Sequence, residues 1–252
     1  MHPQTTVDRA RRLSQQGLID REVARITGVP TRTVQRWRTG TRRAPGKGRE
    51  PSCPRCTGRP LDEAAYAYLL GLYLGDGCLT RGRRDVFALS IACCDDWPGL
   101  LAAAKRTMSA VMPASSVFGV RREGMTEVKS YSKHWPCLFP QHGPGRKHTR
   151  RIELAGWQRG IVEKHPGDFA RGLFHSDGYR GVNRVHRTWG TGERWYEYPR
   201  YLFTNNSADI LRLCGETLDQ LGVAWRFSKP NTISVARREA VEQLDEFVGP
   251  KY

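Results

Sequence analysis

The stretches LLGLYLGDG at residues 69–77 and FARGLFHSDG at residues 169–178 determine the predicted fold of this chain. Each is an apolar run of helix-forming character that ends in an acid followed by glycine. An Asp at a helix C-terminus faces the negative end of the helix dipole, which is unfavourable by roughly 0.3–1 kcal/mol. Because the same local conflict recurs about one hundred residues further along, the sequence predicts an internal repeat whose two acids act together.

Both runs carry small residues at positions four apart, which lie on one face of a helix. The first run has Gly71 and Gly75, and the second has Gly172 and Ser176. Small side chains on that face let two helix backbones approach closely, so we expect the two helices to pack side by side. This packing brings together the two acids that follow, and a divalent cation between them relieves the repulsion of their charges.

The segments that follow the two runs have the same order of predicted elements. After each run come two strands, a helix and then further strand, and VFALSIACC at residues 86–94 alternates apolar and small residues as a strand does. In the second copy, Ser207 is predicted to cap the helix that Gly222 ends. The pattern predicts a mixed α/β (α+β) fold with a first repeat at residues 63–163 and a second at 164–252.

The two runs and the shared element order resemble the LAGLIDADG homing endonuclease family in its single-chain, two-motif form. The resemblance covers residues 63–252, about three quarters of the chain. It implies a pseudo-twofold pair of repeats with mixed or antiparallel DNA-binding sheets. It also implies a monomeric, sequence-specific endonuclease that hydrolyses phosphodiester bonds of double-stranded DNA with a divalent metal ion.

The resemblance further implies the metal ligands. Asp76 and Asp177 would bind Mg²⁺ (or Mn²⁺), helped by the backbone carbonyls of Gly75 and Ser176. Oxygen ligands are those that Mg²⁺ prefers, and the ion retains waters and accepts phosphate oxygens. His175, two residues before the second acid, is expected to be a hydrogen-bonded residue of the helix interface and not a ligand.

The family also places a Lys from each repeat beside the bound water, on a segment well after the motif acid. In the first repeat, GPGRKHTRRIEL at residues 143–154 offers Lys147 as a catalytic residue. In the second, WRFSKPNTISVARR at residues 225–238 offers Lys229. The alternatives in these two segments are Arg150, Arg151, Arg237 and Arg238.

Composition agrees with a nucleic-acid partner. The 252 residues include 41 Lys and Arg against 25 Asp and Glu, a net charge of +16. Such a balance favours a polyanion. No apolar run has the roughly 18 residues of a membrane span, and the N-terminus lacks the apolar segment of a signal peptide. The seven cysteines are an odd number, so we expect reduced thiols and a cytoplasmic protein, associated with the nucleoid if the source is bacterial.

Residues 1–42 are predicted to form a helix-turn-helix DNA-binding domain. Three short runs place apolar residues at helical spacing, namely Val7, Ala10, Leu13, Val23, Ala24, Ile26, Val34 and Trp37. Gly28 suits a left-handed turn before a helix that Thr31 caps. The exposed residues predicted to contact DNA are Thr31, Arg32, Thr33, Gln35, Arg36 and Arg38. The alternative is a small helical hairpin with a solvated basic face.

Residues 43–62 are predicted to be a basic linker, because Gly, Pro and Arg dominate them. The linker contains Cys53-Pro-Arg-Cys56, which is half of a zinc site. A tetrahedral zinc site needs four ligands, and the sequence has no second Cys-x2-Cys. Zn²⁺ would bind there only if Cys137, His142 or His148 completed the site.

Residues 181–198, GVNRVHRTWGTGERWYEY, are predicted to form a hairpin that turns near Gly190. Its basic residues Arg184, Arg187 and Arg194 are predicted to contact DNA. Its two Trp residues have two interpretations, either as part of a groove-reading ribbon or as an underside packed on the hairpin's own core.

Two other functions compete with cleavage. One is a DNA-binding transcription regulator built on a homing-endonuclease scaffold without cleavage, and both acids argue against it because a pure binder has no need of them. The other is an accessory protein of a recombinase or transposase, which only the N-terminal domain suggests. The target sequence, and whether the gene lies in an intron, an intein or alone, do not follow from the sequence.

Overall fold

The structure, a computed structural model, describes residues 2–39, 53–189, 192–249 and 251, with the backbone alone at Arg187 and Trp189. The chain divides into two compact units, Met1–Glu50 and Pro51–Tyr252. Residues 43–52 of the predicted linker and residues 190–191 of the predicted hairpin turn lie outside the described residues. The described part of the predicted linker, residues 53–62, belongs to the second unit.

The first unit contains three helices, α1 (Gln4–Gln15), α2 (Asp20–Thr27) and α3 (Thr31–Arg38). Its small core consists of Val7, Ala10, Val23, Val29, Val34 and Trp37, with Leu13, Leu18 and Ala24 packed against it. The turn between α2 and α3 depends on Gly28, whose φ of 68° lies in the left-handed region that favours glycine. The predicted helical unit therefore has the predicted core, with one exception.

That exception is Ile26, which was expected in the core but is 40% exposed. Val29, in the turn, fills the core there and is only 3% exposed. The predicted cap is also wrong, because Thr31 is the first residue of α3 and its side chain caps nothing. The backbone carbonyl of Pro30 instead accepts the first hydrogen bonds of the helix, from Thr33 N and Val34 N.

The second unit begins with a one-turn helix, α4 (Pro54–Thr57), and continues into two successive sets of elements. The first set is α5 (Glu63–Leu74), β1 (Gly77–Arg81), β2 (Phe87–Cys94), α6 (Pro98–Val111), β3 (Val117–Arg122), β4 (Met125–Ser132) and α7 (Trp135–Leu138). The second set is α8 (Gly156–Lys164), α9 (Pro166–Asp177), β5 (Gly178–Trp189), β6 (Gly192–Thr204), α10 (Ala208–Gln220), β7 (Arg226–Lys229), β8 (Thr232–Val235) and α11 (Arg238–Val248). Short 3-10 turns occur at Arg83–Asp85 and Lys147–Thr149.

Each set forms one antiparallel four-stranded sheet, and the two sheets have corresponding strand orders. The first is ordered β1-β2-β4-β3 and the second β5-β6-β8-β7. In β2 the alternation is as predicted, since Leu89, Ile91 and Cys93 are buried. Ser207 accepts a hydrogen bond from Ile210 N at the start of α10, as its predicted capping role requires. The predicted α+β fold built on two repeats is confirmed.

Helices α5 and α9 pack against each other through their small residues. A Cβ atom added to Gly71 would lie 2.6 Å from Phe169 O and 2.7 Å from Leu173 N. One added to Gly172 would overlap Tyr68 O and lie 2.9 Å from Gly71 Cα. The backbones of the two helices are therefore in direct contact, and only glycine fits at these two positions.

The glycine after each acid also has a steric cause. A Cβ atom added to Gly77 would lie 2.8 Å from Tyr73 O, and one added to Gly178 would lie 2.6 Å from Phe174 Cα. Each first strand therefore reverses tightly over the last turn of the helix before it. The repeated Asp-Gly pair in the sequence reflects this reversal as well as the acid itself.

The core of the second unit surrounds these two helices. Helix α5 is buried on all sides from Tyr66 to Leu74, which explains why it reads as a continuous apolar run and not as an amphipathic one. In α9, Phe169, Leu173 and Phe174 are fully or almost fully buried. No helix among the described residues is long and apolar enough to span a membrane.

Candidate active site

The two acids lie at the adjacent C-terminal ends of α5 and α9. Asp76 follows the residue that ends α5, and Asp177 is the last residue of α9. A Cβ atom added to Gly75 would lie 3.0 Å from Asp177 Oδ2, so the second carboxylate reaches the end of the first helix. Ser176 lies beside Gly75 and donates its hydroxyl to Gly172 O and Leu173 O, within its own helix.

Lys147 caps the end of α5. Its ammonium donates to three backbone carbonyls there, to Tyr73 O at 2.5 Å, Leu74 O at 3.0 Å and Gly75 O at 2.7 Å. A cation at the C-terminus of a helix offsets the negative end of the dipole that the acids oppose. The structure thus places this predicted lysine at the C-terminal end of α5, in contact with the carbonyl that precedes Asp76.

Lys251 occupies the corresponding place in the second repeat. Its ammonium donates to Ser176 O at 3.4 Å and to Gly178 O at 2.5 Å, across the end of α9. Lys229, which the sequence analysis assigned to this role, lies on the exposed strand β7 instead. Lys251, and not Lys229, is therefore the lysine at the end of α9.

The spacing between motif and lysine along the chain indicates Lys251, whereas residue type alone does not. Lys147 follows Gly75 by 72 residues, and Lys251 follows Ser176 by 75. Lys229 follows Ser176 by only 53 residues. The repeat therefore extends through α11 to the last residues of the chain, and an equal spacing of the two lysines would have selected Lys251.

The two carboxylates and two lysines perturb one another's ionisation. Burial, followed by the charge of Asp177, raises the pKa of Asp76 to about 6, although its side chain still reaches solvent. Burial also raises the pKa of Asp177, against the hydrogen bond from Asn205. Burial lowers the pKa of Lys147 to about 8 and also lowers the pKa of Lys251, while both carboxylates act in the opposite direction.

An open cleft gives access to Lys147 and Asp177. The cleft has a volume of about 980 Å³, and Gly75, Lys147, Asp177 and Asn205 are among the residues that line it. Asn205 donates its side-chain amide to Asp177 Oδ2 at 2.6 Å, which orients that carboxylate. A phosphate group therefore has a route to the second acid.

His175 is not available to a metal or a substrate. Its Nδ1 lies 2.9 Å from the hydroxyl of Tyr68, and its Nε2 lies 2.9 Å from Val248 O. Burial lowers its pKa to about 4, so the ring is neutral and bridges α9 to α5 and to the end of α11. This matches its expected role as a hydrogen-bonded interface residue.

Helix α3 of the first unit presents most of its predicted DNA-contacting side chains at the surface. Arg32, Gln35, Arg36 and Arg38 are exposed, whereas Thr31 and Thr33 are half-buried. Arg38 is engaged within the unit, because its guanidinium donates to both carboxylate oxygens of Asp20 at 3.0 and 3.1 Å. A DNA phosphate would have to compete with Asp20 for Arg38.

The hairpin β5–β6 forms as predicted, but its Arg residues lie on different faces. In its register Arg184 is opposite Glu197, whereas Arg187 is opposite Arg194. Strand alternation places Arg184 on the face that carries buried Tyr201, the face that packs on the helices. Arg194 lies on the opposite face, which we call the outer face.

Contacts of the described side chains agree with this division. Arg184 forms an ion pair with Glu197 at 2.8 Å on the helix-side face. Trp195, on the same face, is 67% exposed and packs against His186 with ring centroids 4.6 Å apart. The interpretation of Trp195 as a packed underside of the hairpin is therefore wrong, because this part of the hairpin extends beyond the core.

No family model matches the chain, and no curated protein matches it. Several solved structures are similar to it. Variants of the homing endonuclease I-DmoI are 16% identical, with a TM-score of 0.49, over 75% of this chain and 97% of theirs. The LAGLIDADG meganuclease I-AabMI bound to uncleaved DNA is 13% identical, with a TM-score of 0.47, over 72% and 82%.

A third similar structure is the N-terminal LAGLIDADG domain of DUF199/WhiA, which is 12% identical with a TM-score of 0.43. The match covers 80% of this chain and 88% of that domain. Other structures of I-DmoI contain DNA together with Ca or Mn. All three structures are similar to this chain at low sequence identity.

Proposed function

We propose that this protein is a sequence-specific endonuclease of the LAGLIDADG homing endonuclease type, which hydrolyses both strands of double-stranded DNA with Mg²⁺ or Mn²⁺. The observation that supports it best is the pair of carboxylates at the adjacent ends of α5 and α9, each beside a lysine. Because one chain supplies both acids, we propose that it acts as a monomer, with one site for each DNA strand. We also propose that it acts in the cytoplasm.

The residues at the helix ends fit a hard divalent cation. Asp76 and Asp177 offer carboxylate oxygens, and the helix ends add the carbonyls of Gly75 and Ser176. Burial raises the pKa of both acids, so a cation bound between them would stabilise their ionised forms. When bound there, Mg²⁺ would activate water and stabilise the leaving oxygen of a phosphodiester.

Three further side chains orient a carboxylate or bring positive charge to the site. Asn205 holds the Asp177 carboxylate, and the ammonium groups of Lys147 and Lys251 bring positive charge to the helix ends. Because Lys147 has a pKa of about 8, it is able to exchange a proton near neutral pH. We assign both lysines the role of holding and polarising the water that attacks the phosphate, for which the Lys147 ammonium gives up one of its three carbonyl contacts.

Lys251→Met is expected to reduce cleavage of one strand by roughly 10²-fold, because removing one charged hydrogen-bonding group beside the reacting atoms costs about 3 kcal/mol of transition-state stabilisation. Lys229→Met is the matched control, since Lys229 is exposed on β7. The measurement is single-turnover cleavage with each DNA strand labelled separately. Equal strand-specific losses in both variants would remove Lys251 from the site.

DNA contact is assigned to the outer face of the second sheet and to α3. Arg194→Ala is expected to weaken duplex binding about tenfold and to lower its salt dependence, because one fewer phosphate or base is contacted. Arg184→Ala removes an Arg from the other face of the same hairpin, where Glu197 already pairs with it. We expect it to change binding less than twofold. Binding isotherms at several salt concentrations distinguish the two residues, and the assignment fails if Arg184→Ala is the more damaging variant.

The proposed function is tested by selecting cleaved molecules from a randomised DNA library with Mg²⁺ and the wild-type chain. The expected result is a single enriched sequence with breaks in both strands, absent when Asp76→Asn replaces the wild type. If the protein instead binds one duplex specifically and cuts it with neither Mg²⁺ nor Mn²⁺, the transcription-regulator alternative holds.

A further inference from the structure

Four metal-binding side chains meet at a point that the nuclease chemistry does not use. Cys53, Cys56, His134 and Cys137 each place one ligand atom within 4.8 Å of all the others. Two of these atoms come from the segment before α5, and two come from the residues around α7. Cys56 and His134 are 78 residues apart in sequence, so the fold itself assembles the cluster.

The distances agree with a tetrahedral zinc site. Zn–S and Zn–N bonds of about 2.3 and 2.0 Å give a tetrahedron with edges of roughly 3.5–3.8 Å. Cys56 Sγ lies 3.5 Å from both His134 Nδ1 and Cys137 Sγ, and Cys137 Sγ lies 3.9 Å from His134 Nδ1. The same 3.5 Å between two sulfurs is far longer than a disulfide bond, which is about 2.05 Å.

Both halves of the cluster are held in place by the surrounding structure. Around α7, Trp135 is fully buried and donates its indole N–H to Ser130 O at 3.0 Å, which fixes the residues on either side of it. Before α5, Cys53 is buried, and its carbonyl accepts from Cys56 N and Thr57 N in a tight turn. Such preorganisation is expected of a site that binds a closed-shell structural metal.

We propose that Cys53, Cys56, His134 and Cys137 bind one Zn²⁺ ion that fastens the segment before the first motif helix to the first repeat. The four residues form a Cys-x2-Cys and a His-x2-Cys pair. A search for a second Cys-x2-Cys does not pair His134 with Cys137. Of the partners it considered, Cys137 is in the cluster, whereas His142 packs edge-on against Phe87 and His148 lies in the 3-10 turn.

The ion has a structural task in this arrangement. Three thiolates and one imidazole fill all four positions of a zinc ion, which leaves none for a substrate. The link closes a loop of about 80 residues that contains α5 and the whole first sheet. The bound metal therefore stabilises the first repeat, and the carboxylate site lies elsewhere, at the helix ends.

The test measures metal content and melting temperature in reduced protein purified without added metal and then reconstituted with Zn²⁺. Wild type is expected to hold about one zinc per chain, Cys56→Ser roughly tenfold less, and the control Cys94→Ser as much as wild type. Cys56 and Cys94 are both exposed, so neither serine should disturb the packing. Chelation should lower the melting temperature by more than about 5 °C in wild type and in Cys94→Ser, but not in Cys56→Ser.

A second measurement uses the unmodified chain. Co²⁺ added to the zinc-free protein should give the visible bands of a tetrahedral ion with thiolate ligands, and Zn²⁺ should abolish them. The proposal is overturned if reduced wild type binds no zinc, if Cys56→Ser retains it, or if the Co²⁺ spectrum lacks thiolate bands. Neither measurement involves DNA cleavage, so their failure leaves the proposed endonuclease function untouched.

Discussion

Asp177→Asn is expected to abolish cutting of one DNA strand and to leave the protein able to nick the other. The amide keeps the size of the side chain but loses the charge that binds a divalent cation, so we expect a rate loss on the order of 10³-fold, or about 4 kcal/mol. Asp76→Asn should have the same effect on the opposite strand. The measurement is cleavage of a supercoiled substrate carrying the selected site, in which nicked and linear products are resolved.

The matched control for these variants is Asp96→Asn, which alters an exposed carboxylate outside the site. It should cut both strands at the wild-type rate, and all three variants should bind the duplex as wild type does. Full double-strand cleavage by either Asp76→Asn or Asp177→Asn would contradict the assignment of these acids.

The loss of activity in Asp76→Asn should be accompanied by a gain in stability of the metal-free protein at neutral pH. Because the folded pKa of Asp76 is about 6, above its usual value of 3.8, folding is opposed by the ionised carboxylate. That cost is absent below pH 3.8, grows as the pH rises to 6 and is complete above pH 6. Denaturation in the presence of a chelator should show that the free energy of unfolding rises by about 1 kcal/mol at pH 7.5 and hardly at all at pH 4. The gain at pH 7.5 is no larger because solvent screens the charge.

Gly172→Ala is expected to have the largest effect on stability. The added methyl group would meet the backbone of α5 at Tyr68 O and Gly71 Cα, and neither atom is able to move away as a flexible side chain would. Separating α5 and α9 should cost about 3 kcal/mol and should also displace the two acids, so cleavage falls together with the melting temperature. Chemical denaturation, followed by circular dichroism, measures the change.

Gly160→Ala is the matched control, because Gly160 lies within helix α8 and no atom lies within 4 Å of an added Cβ. The same chemical change should there raise stability by about 0.5–1 kcal/mol, through the loss of backbone freedom in the unfolded chain. If Gly172→Ala behaved like Gly160→Ala, the direct backbone contact of α5 and α9 would be refuted.

The fold was predictable because its decisive feature is local and repeated. Gly71 and Gly172 mark the helix contact, and the Asp-Gly pairs mark the helix ends and the reversal into each first strand. Because α5 is buried on all sides, its sequence is apolar throughout and has no amphipathic pattern. The length of the apolar run and the Asp-Gly pair at its end indicate the helix instead. Ile26 was misplaced because periodicity gives the face of a helix but not which neighbour fills the core beneath it.

Residues that join the site from distant parts of the chain were harder to find. Lys251 reaches the end of α9 only because α11 turns the chain back to it, and Lys in a chain of net charge +16 is too common to single out by type. His134 meets Cys56 only in the folded repeat. The faces of Arg184 and Arg194 depend on the hairpin register, which a difference of one residue would invert.

The proposed role of the two acids is tested most directly by locating manganese, by anomalous diffraction, in crystals of the protein with its selected duplex. Mn²⁺ is expected between the carboxylates of Asp76 and Asp177, in contact with DNA phosphate oxygens. An occupied complex in which no manganese lies between these two side chains, or in which they face away from the DNA, would contradict it.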